Sequence, residues 1–148
     1  MSENKLDEID HQIIAALKQD GRMPFAEIAR GLDVSPGMVR ERYHRLVQSG
    51  VLQVVAVTNP LKVGYRVMTL IGIQVEGNLF HEVARQVAAF EEVIYLVLCT
   101  GTYDLLAEVV CRDNAHLLDF LTRRLRTIEG IHNTESFVYL DIVKEIYT

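Results

Sequence analysis

The chain has 148 residues and a mass of 16.8 kDa, the size of one ordinary domain or two very small ones. Its composition, 49% hydrophobic and 24% charged, is that of a compact folded protein and excludes a disordered one. The net charge is −5, so no global basicity marks a nucleic-acid binder, and no apolar run approaches the ~18 residues of a membrane span.

The N-terminus, Met1 to Lys5, is polar and leads straight into an amphipathic pattern, which makes the cytoplasm the expected location. Two cysteines cannot build a disulfide framework or a four-ligand zinc site. A hairpin turning at Gly101–Asp104 would leave Cys99 and Cys111 about 16 Å apart at the strand rise, beyond disulfide reach, so both read as small core residues.

The distribution of charge says more than its sum. Residues 1–60 carry 7 Lys/Arg against 8 Asp/Glu, and residues 61–148 carry 8 against 12. Between Ser35 and Gly50 the cations Arg40, Arg42 and Arg45 face only Glu41, a basic stripe on a near-neutral module.

In chain order, the first 50 residues read as three short helices. Leu6, Ile9, Ile13, Ile14 and Leu17 recur at helical spacing before Gly21, and Pro24 opens a second helix with Phe25, Ile28, Ala29 and Leu32 on one face. Gly31 and Asp33 break it. Ser35-Pro36 then combines a serine N-cap with proline at the first helical position. In this third helix Val39, Tyr43, Leu46 and Val47 share one arc and are expected inward. Gly37, Met38, Glu41, His44, Arg45 and Gln48 lie opposite, with Arg40 and Arg42 on the flanks. Two helices joined by a tight turn, the second presenting cations outward, form the pattern of a helix-turn-helix.

After Gly50, Val51–Thr58 reads as a strand or wing, and Asn59-Pro60 as punctuation. The expected organisation is a DNA-binding domain over 1–50, a wing strand and linker over 51–66, and a second domain over 67–148. In the last, Val67–Val75 reads as a strand, Leu79–Phe90 as a helix, and Val93–Thr100 and Leu105–Arg112 as strands around the Gly101–Asp104 turn. Asn114–Ile128 reads as a helix with a stripe of Leu118, Leu121, Leu125 and Ile128, and Asn133–Lys144 as a strand. The order βαββαβ is the ferredoxin-like arrangement, making the chain an α+β protein. Its strands are apolar on both sides although helices cover only one face, so the bare face is expected to pack on a second copy.

These elements carry a resemblance. Leu6-Asp7 with Asp10, Asp20-Gly21-Arg22, Glu27-Ile28-Ala29, Val34-Ser35, Val39 with Arg42, Leu46 and Ser49-Gly50-Val51 resemble the DNA-binding module of the Lrp/AsnC (feast/famine) transcriptional regulators. Thr100 to Leu106, and Gly130-Ile131 followed by Thr134-Glu135-Ser136, resemble the two signatures of that family's ligand-sensing domain. The resemblance implies a winged helix-turn-helix dimer that commonly assembles to octamers or open helical arrays and binds amino acids or related metabolites at contacts between dimers. Two positions depart from the pattern: Tyr43 stands where the family usually has an aliphatic residue, and the third helix opens with Pro36-Gly37.

For DNA, Gly37, Met38, Glu41 and Arg45 are best placed for base edges, and Ser35, Pro36, Arg40 and Arg42 for phosphates. Arg42 has an alternative role, bridging helices through a carboxylate. For the effector, an ammonium needs an acidic partner and a carboxylate needs donors. Asp104 supplies the first; backbone at Gly101, Thr102 and Tyr103 and the hydroxyls of Thr134 and Ser136 supply the second. Turn aspartates often cap their own loop instead.

No cofactor and no metal is expected. An enzymatic reading comes from sirohaem decarboxylases, which share the two-domain layout. It lacks support here, because the five histidines fall on separate elements with no metal-ligand spacing and no nucleophile motif. The other alternative is a stand-alone metabolite-binding module without DNA contact. The expected partners are therefore double-stranded DNA, a small-molecule effector and further copies of the chain, with no membrane.

Overall fold

The computed structural model describes residues 6–144, which divide into a unit ending at Val57 and a second beginning at Thr58. In the first, α1 (Glu8–Gln19) opens with a reciprocal cap, the Asp7 side chain accepting from the Asp10 N–H and the Asp10 side chain from the Asp7 N–H. Helix α2 (Phe25–Leu32) has Pro24 as its N-cap and ends at Asp33 in the left-handed region, φ 54°. Helix α3 (Pro36–Gln48) starts as Ser35-Pro36 predicts: Ser35 Oγ accepts from the Met38 N–H at 3.2 Å. The core comprises Ile13, Leu17, Ile28, Ala29, Val39, Leu46 and Leu52.

Two expectations fail in this unit. Val47, predicted inward, is exposed. Val51–Thr58 contains no strand, because no described segment pairs with it, and an extended backbone becomes a strand only by pairing. Val51, Val54, Val55 and Val57 lie exposed along it.

The second unit begins with a short 3₁₀ turn, Pro60–Lys62, capped by Asn59. It then follows β1 (Val67–Val75), α4 (Phe80–Ala88), β2 (Val93–Leu98), β3 (Leu105–Cys111), α5 (Asn114–Asp119) and β4 (Ile131–Val138). The sheet order is β2-β3-β1-β4, antiparallel throughout, the ferredoxin-like topology that the βαββαβ order predicts. Register places Ile71, Ile73, Leu105, Ala107 and Val109 on the helix side, where they pack against Val83, Val87, Leu117, Phe120 and Leu125. Gly130, at φ 94° before β4, has no room for a side chain, since an added Cβ would lie 2.7 Å from Leu79 Cδ1.

The last helical segment departs from its predicted form. After α5 the chain makes a π turn over Phe120–Arg124 and a 3₁₀ turn over Leu125–Thr127. The wider turn rotates the apolar stripe. Leu117 and Phe120 enter the core, while Leu118, predicted inward, is 62% exposed. A bulge between Val93 and Tyr95 likewise takes Ile94 out of register and leaves it exposed. Strand β4 ends at Val138 rather than at Lys144.

Candidate DNA-recognition surface and effector loop

Helix α3 buries Val39 and Leu46 completely, and Tyr43 packs its ring on Phe25 at 5.1 Å between centroids. Tyr43 is thus seated in the hydrophobic cluster of the first unit. The opposite side presents Gly37, Met38, Arg40, Glu41 and Arg45 to solvent, with Ser35 and Pro36 exposed at its start. A concavity of about 280 Å³ is lined by Met38, Glu41, Arg42 and Arg45.

The arginines are not equivalent. Arg42 Nη1 lies 2.6 Å from Asp7 Oδ2 and 2.9 Å from Asp10 Oδ1. Its side chain is only 20% exposed, so the structure places it as the inter-helix bridge, the alternative role, rather than free for phosphate. Arg45 Nη2 lies 2.7 Å from both oxygens of Asp10, yet half of its side chain stays in solvent. Arg42 and the Asp10 N–H hold the Asp7 carboxyl below its ordinary range. Asp10 itself is 1% exposed, a buried carboxylate satisfied by two guanidinium groups. Arg40 makes no ion pair among the described residues.

In the second unit the β2–β3 loop folds over β1. Gly101 adopts φ 136°, in the glycine region. The Asp104 N–H donates to the Ile73 carbonyl at 2.9 Å, and Asp104 Oδ2 accepts from the Val75 N–H at 2.8 Å. Asp104 therefore ties down β1 with one oxygen at Val75, where the β1–β4 register shifts. Gln74 Nε2 donates to the Thr102 carbonyl at 2.8 Å, and Cys99 Sγ to that of Tyr103 at 3.2 Å. The Tyr103 ring lies on Gly72 and meets Phe137 edge-on.

Gly101, Thr102, Tyr103 and Asp104 are thus brought together at the end of β1. Thr134 and Ser136 are not brought to them: they pair with Ile73 and Ile71 on the helix side of the sheet, whereas Tyr103 lies over Gly72 on the other face. Thr134 instead lines a separate concavity of about 390 Å³ with Arg126, Ile131, His132 and Asn133.

Sequence reasoning also missed a buried polar cluster. Glu92 accepts from Arg124 Nη1 and lies 3.0 Å from His116 Nε2. The His116 Nδ1 accepts from the Arg112 N–H, so Nε2 carries the proton and donates to Glu92. Burial pushes the Glu92 carboxyl up, but its own backbone N–H, Arg124 and His116 outweigh that and hold it below the ordinary value of 4.5. Arg124, delivered by the π turn, also stacks on Phe90 at 4.7 Å. Only tertiary placement by that turn could have revealed this cluster. Among the described residues no group of three or more His, Cys, Asp or Glu could hold a metal ion, and no helix is long and apolar enough to cross a membrane.

A helix-turn-helix with a cationic outer helix, on the same chain as a ferredoxin-like sheet with an exposed loop, defines the class of two-domain DNA-binding regulators. The comparisons agree. The AsnC-type helix-turn-helix domain matches residues 6–47, and the Lrp/AsnC ligand binding domain matches residues 68–148. The chain is 36% identical over 141 residues to an HTH-type transcriptional regulator of Pyrococcus horikoshii, covering 95% of this chain and 89% of that one. Its fold matches Escherichia coli AsnC with a TM-score of 0.88 at 26% identity, over 97% of this chain and 98% of that one. It also matches the Mycobacterium tuberculosis leucine response regulatory protein, with a TM-score of 0.85 at 27% identity over 95% and 96%. The chain belongs to the Lrp/AsnC family of helix-turn-helix transcriptional regulators, which bind DNA and are not enzymes.

Proposed function

We propose that this regulator reads duplex DNA with α3 as a homodimer and that an amino acid or related small metabolite controls its assembly. The observation that carries the DNA reading is the division of α3. Val39 and Leu46 lock one side, while Met38, Glu41, Arg40 and the outer half of Arg45 face outward at the end that a recognition helix inserts into a major groove. Gly37 at the helix start joins Met38, Glu41 and Arg45 in reading base edges, and Ser35 and Pro36 before it are assigned to phosphate. Arg42 contributes by holding α3 on α1.

Pairing is supported by the helix-free face of the sheet, where Tyr95 and Phe137 stay exposed beside Leu70, Val97 and Leu106. Leaving such side chains in water forfeits roughly 1.5–3 kcal/mol each. A second copy on this face removes that cost and supplies two recognition helices, which favours pseudo-palindromic sites. Assembly of dimers to octamers or larger arrays follows the family pattern.

For the effector, Asp104 spends Oδ2 on Val75 and keeps Oδ1 for an ammonium group, with Gly101, Thr102 and Tyr103 in the same loop. Thr134, beside Arg126, and Ser136 on the same strand lie apart from that loop within one chain, so they would offer donors to the carboxylate from a neighbouring copy. Binding at contacts between dimers would shift assembly, and with it the spacing of DNA sites bridged. The mycobacterial relative's name, a leucine response regulator, is consistent with an amino-acid effector.

Selection of the full chain on random duplexes, with and without a panel of amino acids, tests the whole reading. A pseudo-palindromic motif is expected, with its half-site spacing altered by at least one amino acid. Retention of duplexes without sequence preference in every condition would overturn it.

A further inference from the structure

The carboxylate that orients the recognition helix does not lie on that helix. Asp10 belongs to α1, 35 residues before Arg45, and is 1% exposed. Its position is fixed before any arginine is considered, because Asp10 and Asp7 cap each other's backbone N–H groups at the start of α1. On this fixed anion Arg45 places Nη2 at 2.7 Å from both oxygens. Arg42, from the same helix, closes the cluster through Nη1 on Asp7 and Asp10.

The exposures divide the labour. Each arginine engages one terminal nitrogen, but Arg42 is 20% exposed and Arg45 49% exposed. A guanidinium carries five N–H donors in a rigid plane, so fixing Nη2 also sets the direction of the unengaged Nε and Nη1 donors. The electrostatics point the same way. Two aspartates offset two arginines, so the cluster adds little net charge to attract a polyanion. What Arg45 brings to DNA is therefore directed hydrogen bonding, and donors oriented in advance avoid the ordering cost at encounter.

We propose that Asp10 is the positioning residue for DNA reading: it holds the Arg45 guanidinium so that its unengaged N–H donors meet one base pair in the major groove. This rests on Arg45 as a base contact, and the variants below separate failure of that reading from failure of this one. A purely structural carboxylate would, when removed, weaken binding to every duplex alike. A positioning carboxylate, when removed, releases a mobile cation that still attracts phosphate and no longer discriminates.

The test measures affinity of the full chain for its selected duplex and for a scrambled one at a single salt concentration. The variants are Asp10→Asn, Arg45→Ala and Arg45→Lys, each checked for fold by circular dichroism. Asp10→Asn is expected to lower the ratio of the two affinities roughly tenfold, the scale of one base contact, with scrambled-duplex affinity equal or higher. Arg45→Ala is expected to lower the ratio at least as far, and Asp10→Asn should add nothing in that background. If Asp10→Asn does not fold, Arg45→Lys decides. It keeps the charge and the Arg42 bridge but loses the planar fork, so the ratio should fall while scrambled-duplex affinity holds. A folded Asp10→Asn chain with an unchanged ratio overturns the proposal, as does Arg45→Lys with an unchanged ratio. An unchanged ratio in Arg45→Ala overturns the base-reading role beneath it.

Discussion

Replacing Gly72 by alanine perturbs the effector loop from underneath. A Cβ there would lie 2.6 Å from Tyr103 Cγ and 2.7 Å from both Cδ atoms, so the ring rests flat on a bare backbone. Carbon atoms in ordinary contact sit about 3.5–4.0 Å apart, so the ring must retreat by roughly 1 Å. It cannot retreat freely. The Tyr103 carbonyl accepts from Cys99 Sγ, the next residue's N–H is bonded to Ile73, and the ring meets Phe137 edge-on. Overpacking of this kind costs about 1–3 kcal/mol. Without Tyr103 the sign should reverse, because alanine in a strand interior is better than glycine by roughly 0.5–1 kcal/mol. Urea titrations followed by circular dichroism, on Gly72→Ala with and without Tyr103→Ala, measure both numbers. The same loss in both backgrounds, or none in either, would refute the seating of Tyr103 on Gly72.

Three further outcomes are expected. Because the Glu92 carboxyl is held below 4.5 in the fold, its contribution to stability is complete above that value and is lost as pH falls through the lower folded value; acid titration of stability should show this loss, and Glu92→Gln should flatten the profile. The Cys111 thiol is fully buried and pushed up to about 11 by burial and by Glu92 and Asp113, while Cys99 is partly open at the loop; iodoacetamide at neutral pH should label Cys99 first, and equal labelling by mass spectrometry would contradict the burial pattern. Leu117→Ala should cost about 2–5 kcal/mol and Leu118→Ala about 0.5 kcal/mol or less in urea titration, and the opposite order would show that no π turn rotates that stripe.

Where local chemistry decides, residue patterns were sufficient. Ser35-Pro36 marks the start of α3 because both the cap and the missing N–H act within one turn. The alternation of strands and helices gives the sheet order because two interleaved β-α-β crossovers, each joining parallel strands, leave few alternatives. Misreadings arose where a partner or a change of helical pitch decides. Val51–Thr58 has strand composition but no described neighbour to pair with. Leu118 has ideal α spacing to Leu121, which packs on the core, but the π turn at Phe120 moves Leu117 inward in its place. The loop Gly101–Asp104 was legible as a turn, but its seat on Gly72 and its bond to Val75 depend on strand register. Three arginines on one helix read as a basic stripe. That two of them lean on Asp10 follows only from packing α1 against α3.

Placement of α3 in the major groove is tested most directly by photo-crosslinking from position 38, where Met38 is exposed on the outward side of the helix. With a photoreactive residue at Met38 and the selected duplex, adducts to bases within each half-site are expected, and none from the same residue placed at Arg112 in the sheet domain. Adducts from position 112 with none from position 38 would contradict recognition by α3.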